Sequence, residues 1–253
     1  MSITVRGVTL LPPARVGAGQ MRVIVPVMAN DLGPAAAAGQ AGDLVELRLD
    51  ALPELDLAAA REALARTRQA IGPQRPLLAT VRTRAEGGLT DLPPERYAAL
   101  LEALCADRVA DLVDLELSTG PEILRRVTGA ARQAGVVTVI SSHDFSATPE
   151  TGEMAARLNR MADWGDVAKL AVMPRCPADA ARLLEATALA AQARPDTPLI
   201  TMAMGPLGAV TRVCGAAFGC CAGFASAGVS SAPGQPAAEA LRAALSALPG
   251  CGV

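Results

Sequence analysis

Aromatic residues are scarce in this chain. Phe, Trp and Tyr make up 2% of 253 residues, so the core must be built from Ala, Val, Leu and Ile, and there is no stacking platform for bases. Neither sign of charge dominates: 23 basic side chains face 25 acidic ones, for a net charge of −2. Both features argue against a nucleic-acid partner. Although 51% of the residues are hydrophobic, no run reaches the ~18 unbroken apolar residues of a membrane span. Pro12 and Pro13 interrupt the N-terminal region where a signal peptide needs a continuous apolar stretch. The six cysteines form no C-x-x-C pair and sit in apolar contexts. They read as small buried hydrophobes in a reducing, cytoplasmic compartment. With one histidine and no clustered cysteines, no metal site is expected.

The residue types that are almost missing direct attention to the few that remain. His143 is the only histidine and Lys169 the only lysine; the other 22 basic residues are arginine. Arginine supplies surface charge at least as well as lysine, but it stays protonated and cannot act as a nucleophilic amine. Histidine is the usual proton shuttle near neutral pH. One amine and one imidazole, each in a strand-like run, point to imine chemistry with acid–base help. The plainer reading is a snorkelling lysine and a hydrogen-bonded core histidine.

Short β-branched runs alternate with Ala/Leu/Arg-rich helical segments from Arg22 onward. The runs lie at 23–28, 44–49, 77–83, 111–117, 136–141, 167–173, 198–204 and 217–224. Helices are expected at 32–41, 56–71, 94–106, 121–134, 151–163, 178–193, 206–215 and 236–248. Asp56 and Pro121 mark helix starts, and Gly72 and Gly135 mark stops. Eight βα units predict one α/β domain over residues 1–253, a closed (β/α)8 TIM barrel. Residues 3–10 add a short peripheral strand or hairpin before it. A doubly wound open sheet is the alternative, but no G-x-G-x-x-G follows the first strand.

In such barrels the site forms at the C-terminal strand ends. Period-two alternation puts Glu46, Arg48 and Asp50 on one strand face. Buried charges need partners, either one another or a ligand; Asp50 reads more readily as an internal ion pair. Arg82 ends the third strand, just before the Glu86-Gly87-Gly88 turn. Asp114 and Glu116 share a face of the fourth strand and read as partners for the arginines. His143 and Lys169, 26 residues apart, fall one βα repeat apart at similar height. Burial in the barrel would desolvate the amine and nearby arginines would repel its charge, both favouring its neutral form. Arg212 could hold a carboxylate bidentately. Ser230, Ser231 and Gln235 lie in a Gly/Ser/Pro loop suited to hydroxyl groups.

These stretches resemble one family. E-L-R-L-D at 46–50, T-V-R-T-R-A-E-G-G at 80–88, D-L-V-D-L-E-L at 111–117, S-S-H-D-F-S-A-T-P at 141–149, D-V-A-K-L-A-V-M at 166–173, M-A-M-G-P-L-G-A-V-T-R at 202–212 and S-A-P-G-Q at 231–235 occur in the order seen in type I 3-dehydroquinate dehydratases of the shikimate pathway. The resemblance implies dehydration of 3-dehydroquinate to 3-dehydroshikimate without metal or organic cofactor, in a homodimer. It implies that Lys169 forms an imine with the ring ketone and that His143 moves the protons, oriented by Glu86. It assigns the substrate carboxylate to Arg212 and the ring oxygens to Glu46, Arg48, Arg82, Ser231 and Gln235. The segment 230–236 is the expected lid. Two alternatives stand beside it: another Schiff-base lyase of the class I aldolase type, and a non-catalytic metabolite-binding barrel.

Overall fold

The middle strands of this chain start with apolar side chains on both faces and carry polar ones on one face toward or just past their ends. The structure, a computed structural model describing residues 2–12, 21–228 and 234–247, shows what that gradient builds. Eight parallel strands run β3 (Arg22–Met28), β4 (Leu44–Arg48), β5 (Leu77–Thr80), β6 (Leu112–Glu116), β7 (Val137–Asp144), β8 (Val167–Val172), β9 (Leu199–Ala203) and β10 (Ala222–Phe224). Each pairs with the next, and β10 returns to β3. Between β9 and β10 the ring closes through a parallel bridge of Leu199 with Cys220 and a 2.8 Å bond from Cys221 N–H to the Leu199 carbonyl. This is a (β/α)8 barrel.

The helices on its outside are α1 (Ala35–Ala41), α2 (Leu57–Ile71), α3 (Pro94–Asp107), α4 (Pro121–Ala134), α5 (Thr151–Trp164), α6 (Pro177–Ala193), α7 (Ala209–Cys214) and α8 (Ala238–Ser246). Their ends follow from local chemistry. The Asp56 carboxylate accepts the Ala59 N–H and caps α2, which stops at Gly72 with φ +82°. Pro121 opens α4, and Gly135, in the left-handed region at φ +70°, closes it.

Alternation divides the core in two. Outward residues such as Val45, Leu47, Leu77, Ala79, Leu170 and Val172 pack against the helices. Inward residues at the strand starts, among them Ile24, Leu44, Leu78, Leu112, Val139 and Ile200, fill the lower half of the barrel. Below them lies an antiparallel hairpin, β1 (Ile3–Val5) with β2 (Val8–Leu10), whose Leu10 joins that cluster. The peripheral element is thus the hairpin of the two expected forms, and it plugs the N-terminal mouth, where an open barrel would otherwise wet its apolar interior.

Several elements depart from the expected bounds. The third strand, expected over 77–83, stops at Thr80, so Arg82 lies two residues past it. The eighth apolar run, 217–224, is not one strand: Gly215–Phe218 forms a 3-10 turn, Gly219 turns the chain at φ +101°, Cys220 makes an isolated bridge, and only Ala222–Phe224 forms strand. The helix expected at 206–215 begins as a 3-10 turn over Pro206–Gly208 and becomes α-helical at Ala209. A Cβ on Gly208 would fall 2.0 Å from the Ala203 carbonyl oxygen, so the chain turns hard against β9 there.

Candidate active site

Above the apolar plug, the inward positions two residues further along β4 to β8 are polar. β4 contributes Glu46 and Arg48, β6 Asp114 and Glu116, β7 Ser141 and His143, and β8 Lys169. The β7–β8 register sets Ser141 beside Lys169 and His143 beside Ala171. Of these, Glu46, Arg48, His143 and Lys169 line a pocket of about 160 Å³ at the C-terminal end of the barrel, and Asp114, Glu116 and Ser141 lie behind them.

Lys169 rises from the floor and is buried. Its Nζ donates to Asp114 Oδ2 at 3.1 Å and to Glu46 Oε1 at 3.4 Å, and sits 4.6 Å from the centroid of the Phe224 ring. The contacts of the amine are therefore carboxylates, not the arginines suggested by the sequence. Arg82 stands one step further off, on the far side of Asp114. Asp114 Oδ1 accepts from Arg82 Nη2 at 2.8 Å and from Ser141 Oγ at 2.7 Å. Burial alone would raise the Asp114 pKa, but Arg82 and Lys169 outweigh it and hold it below its ordinary 3.8. Asp114, expected only as a partner for the arginines, is also a direct neighbour of the amine.

Arg82 is buried as well. Its Nη1 donates to Glu116 Oε1 and Ser141 Oγ, each at 2.9 Å. With the Asp114 bond, three of its five N–H donors are committed. Burial works against the cation, yet Asp114, Glu116 and Glu86 raise its pKa overall. Arg48 donates through Nε and Nη2 to the two oxygens of Asp50, both at 2.8 Å. Asp50 also accepts the N–H groups of Arg82 and Leu89, consistent with its reading as an internal ion pair.

His143 meets Glu86 across the β5 loop. Glu86 Oε2 accepts the His143 backbone N–H at 3.0 Å and lies 2.9 Å from Nδ1. When Glu86 is ionised its oxygens can only accept, so the ring proton then belongs on Nδ1, leaving the Nε2 lone pair free. Burial lowers the His143 pKa well below 6.5, and the Arg82, Lys169 and Arg48 charges lower it further. Burial also raises Glu86 to about 7, helped by Glu116 and opposed by Arg82 and by a hydrogen bond from Ser118.

The Glu86 loop depends on its glycines. Gly87 has φ +80°, and a Cβ there would lie 2.2 Å from the Phe145 ring; one on Gly88 would lie 2.0 Å from the Arg82 carbonyl oxygen. Phe145, partly exposed, covers this turn and forms the pocket rim.

Beside the amine, Met202 and Met204 from β9 and its end and Phe224 from β10 make an apolar wall, and Arg212 also lines the pocket. Arg212 is 2% exposed and donates from Nη1 to the Phe224 carbonyl at 3.3 Å, while its buried Nε has no hydrogen-bond partner. Among the described residues no carboxylate lies within ion-pairing distance. Burial accordingly lowers its pKa to about 10. Gln235 lines the pocket beside it. It is carried there by Gly234, whose backbone lies so close to Gly205 that a Cβ would be 2.4 Å from the Gly205 oxygen. Ser231, and with it most of the expected lid from Ser230, lies outside the described residues.

The pocket thus brings together eight of the nine site residues named from the sequence: Lys169, His143, Glu86, Glu46, Arg48, Arg82, Arg212 and Gln235. The sequence reading missed the apolar wall of Met202, Met204 and Phe224 and the rim residue Phe145. Alternation along β9 carried the signal for the methionines; nothing local marked Phe145.

Comparison with known proteins identifies the family. Residues 23–250 match a family model described as type I 3-dehydroquinase. The chain is 37% identical over 242 residues to a 3-dehydroquinate dehydratase of Neisseria gonorrhoeae, covering 92% of this chain and 94% of that one. It is 42% identical over 205 residues to one from Lactiplantibacillus plantarum, covering 79% of each. Among solved structures, 3-dehydroquinate dehydratase from Geobacillus kaustophilus superposes with a TM-score of 0.89 at 33% identity, over 97% of this chain and 95% of that one. The type I enzyme from Clostridium difficile, solved with covalent modified comenic acid, gives 0.87 at 32% identity, over 97% and 96%. With a match of this extent in sequence and in fold, the chain belongs to the type I 3-dehydroquinase family.

Proposed function

We propose that this chain dehydrates 3-dehydroquinate to 3-dehydroshikimate through an imine on Lys169, as a step of the shikimate pathway. One observation carries the reading: the only lysine is buried at the floor of a pocket whose walls also carry the only histidine and an arginine with no carboxylate partner among the described residues.

The steps follow from the groups present. The free amine of Lys169 attacks the ring ketone carbon, and loss of water gives an iminium. Asp114 and Glu46, at 3.1 and 3.4 Å, are the acceptors in place for the proton the amine gives up. The iminium draws electrons from the adjacent C–H bond. His143 Nε2 takes that proton, leaving an enamine, and Glu86 balances the imidazolium formed. The enamine pair then expels the β-hydroxyl, which leaves as water with the proton from His143. Hydrolysis of the conjugated iminium frees the amine and the enone, so the net change is loss of one water. Arg212 binds the ring carboxylate bidentately. Glu46, Arg48, Arg82, Gln235 and Ser231 hold the hydroxyl groups, and the segment around Gln235 closes over the ring. The working form is a homodimer in the cytoplasm.

Borohydride reduction in the presence of 3-dehydroquinate, followed by intact mass and peptide mapping, tests this. A reduced adduct on the Lys169 peptide is the expected result. Turnover without an adduct would keep the substrate and discard the imine. A phosphorylated sugar as the preferred substrate would favour the aldolase alternative.

A further inference from the structure

Glu86 has two carboxylate oxygens, and only one of them faces His143. The other, Oε1, accepts a 2.7 Å hydrogen bond from Ser118 Oγ. Ser118 is not on the Glu86 loop. It belongs to the 3-10 turn Leu117–Thr119 that follows β6, and Thr119 Oγ1 braces this turn by donating to the Glu116 carbonyl at 2.7 Å. The two loops are tied together just below. Glu116 accepts the Thr83 N–H at 2.8 Å and the Thr83 hydroxyl at 2.6 Å. Ser118 is thus held where its hydroxyl reaches the outer oxygen of Glu86.

The geometry points to Ser118 as a positioning residue for the proposed dehydration: its hydroxyl keeps Glu86 ionised and turned so that Glu86 holds the Nδ1–H form of His143. This rests on the dehydratase reading for its consequence in turnover, but not for its effect on the imidazole. The charged groups around Glu86 make the requirement clear. Glu116 and Asp114 on β6 repel a charge on Glu86, and burial disfavours it. Arg82 at the end of β5, 3.6 Å away, favours it but is shared with both other carboxylates. On the β7 side His143 supplies a neutral donor and sits within the fields of Arg82, Lys169 and Arg48. A hydrogen bond to the charged form lowers a carboxyl pKa, and Ser118 is the one hydroxyl among the described residues seen donating to Glu86. Without it the pair takes up its proton at a higher pH. A protonated Glu86 no longer holds the Nδ1–H, and the lone pair needed on Nε2 is lost.

Because His143 is the only histidine, an untagged chain has a single imidazole spectrum. Two measurements on Ser118→Ala and Ser118→Thr therefore separate the outcomes. In 15N NMR titration without substrate, Ser118→Ala should move the transition sensed by the imidazole upward by about one pH unit, and Ser118→Thr, which keeps the hydroxyl, should restore it. In kinetics with 3-dehydroquinate, the acid limb of kcat should move up equally: about tenfold lower turnover than native at pH 6, parity above pH 9, and KM unchanged. An imidazole titration that superposes on the native one, or a loss of kcat equal at all pH values, would overturn the assignment. A shifted imidazole in a chain that does not dehydrate 3-dehydroquinate would uphold Ser118 as the residue that sets the Glu86–His143 pair and sink the dehydratase reading instead.

Discussion

Lys169 Nζ lies 3.1 Å from Oδ2 of Asp114, the carboxylate whose other oxygen is bound by Arg82 and Ser141. One fully buried anion thus serves two buried cations. Removing one partner of such a set leaves an uncompensated charge in a poor solvent, at a typical cost of ~3–5 kcal/mol. Asp114→Asn should lose about that much stability by urea denaturation at pH 7. The folded pKa of Asp114 is depressed below 3.8, so its contribution is present above that pH and fades as acid protonates it. The gap between native and variant should therefore shrink as pH falls below about 4. A gap that persists unchanged there would mean the loss is one of packing.

Lys169→Ala should abolish both turnover and the borohydride adduct while far-UV circular dichroism stays native, since one side chain is lost from a large core. His143→Ala should lower turnover by roughly 10²–10⁴-fold, the usual worth of a positioned acid–base group, and still form the adduct slowly. Near-normal turnover in either variant would remove that residue from its role.

Arg212 carries a buried charge with no carboxylate partner among the described residues, and its pKa falls to about 10. A base with a lowered folded pKa weakens the fold at every pH below that value. Arg212→Met should therefore be at least as stable as native at pH 7, yet bind substrate about 10–100-fold more weakly, the range for losing a charge-assisted pair. A marked drop in thermal stability with an unchanged KM would show that the guanidinium is structural.

The pH profile should have its acid limb near 7, where Glu86 takes up a proton. Because this pKa is raised from an ordinary 4.5 to about 7, Glu86 costs stability that grows as pH rises between those values, on the order of 3 kcal/mol in full. Glu86→Gln should then gain in urea midpoint over native at pH 8 but not at pH 4, while losing turnover. An equal change at both pH values would exclude the raised carboxyl.

Much of the site was legible because its residue types are rare and its scaffold repetitive. A chain with one lysine and one histidine leaves little choice of nucleophile and base, and eight βα repeats locate strand ends to within a few residues. The readings that failed did so where contacts are set across the barrel. Asp114 lies 55 positions from Lys169, so alternation could show that it faces inward but not which cation it meets. Residues 217–221 read as strand because they are apolar, whereas the chain there turns at Gly219, closed by bonds from Gly219 and Cys220 N–H to the Ala216 and Gly215 carbonyls. Phe145 and Ser118 carry no local pattern at all.

By itself, then, the sequence determined the repeat, the inward face of each strand and the chemistry the inward groups can perform, since all three follow from periodicity and residue type along a few neighbouring positions. Tertiary structure alone decided the pairings. Closing eight strands into a ring sets the stagger between them, and the stagger determines which oxygen lies against the Lys169 amine, which carboxylate orients His143, and that Arg212 stays without a carboxylate partner among the described residues.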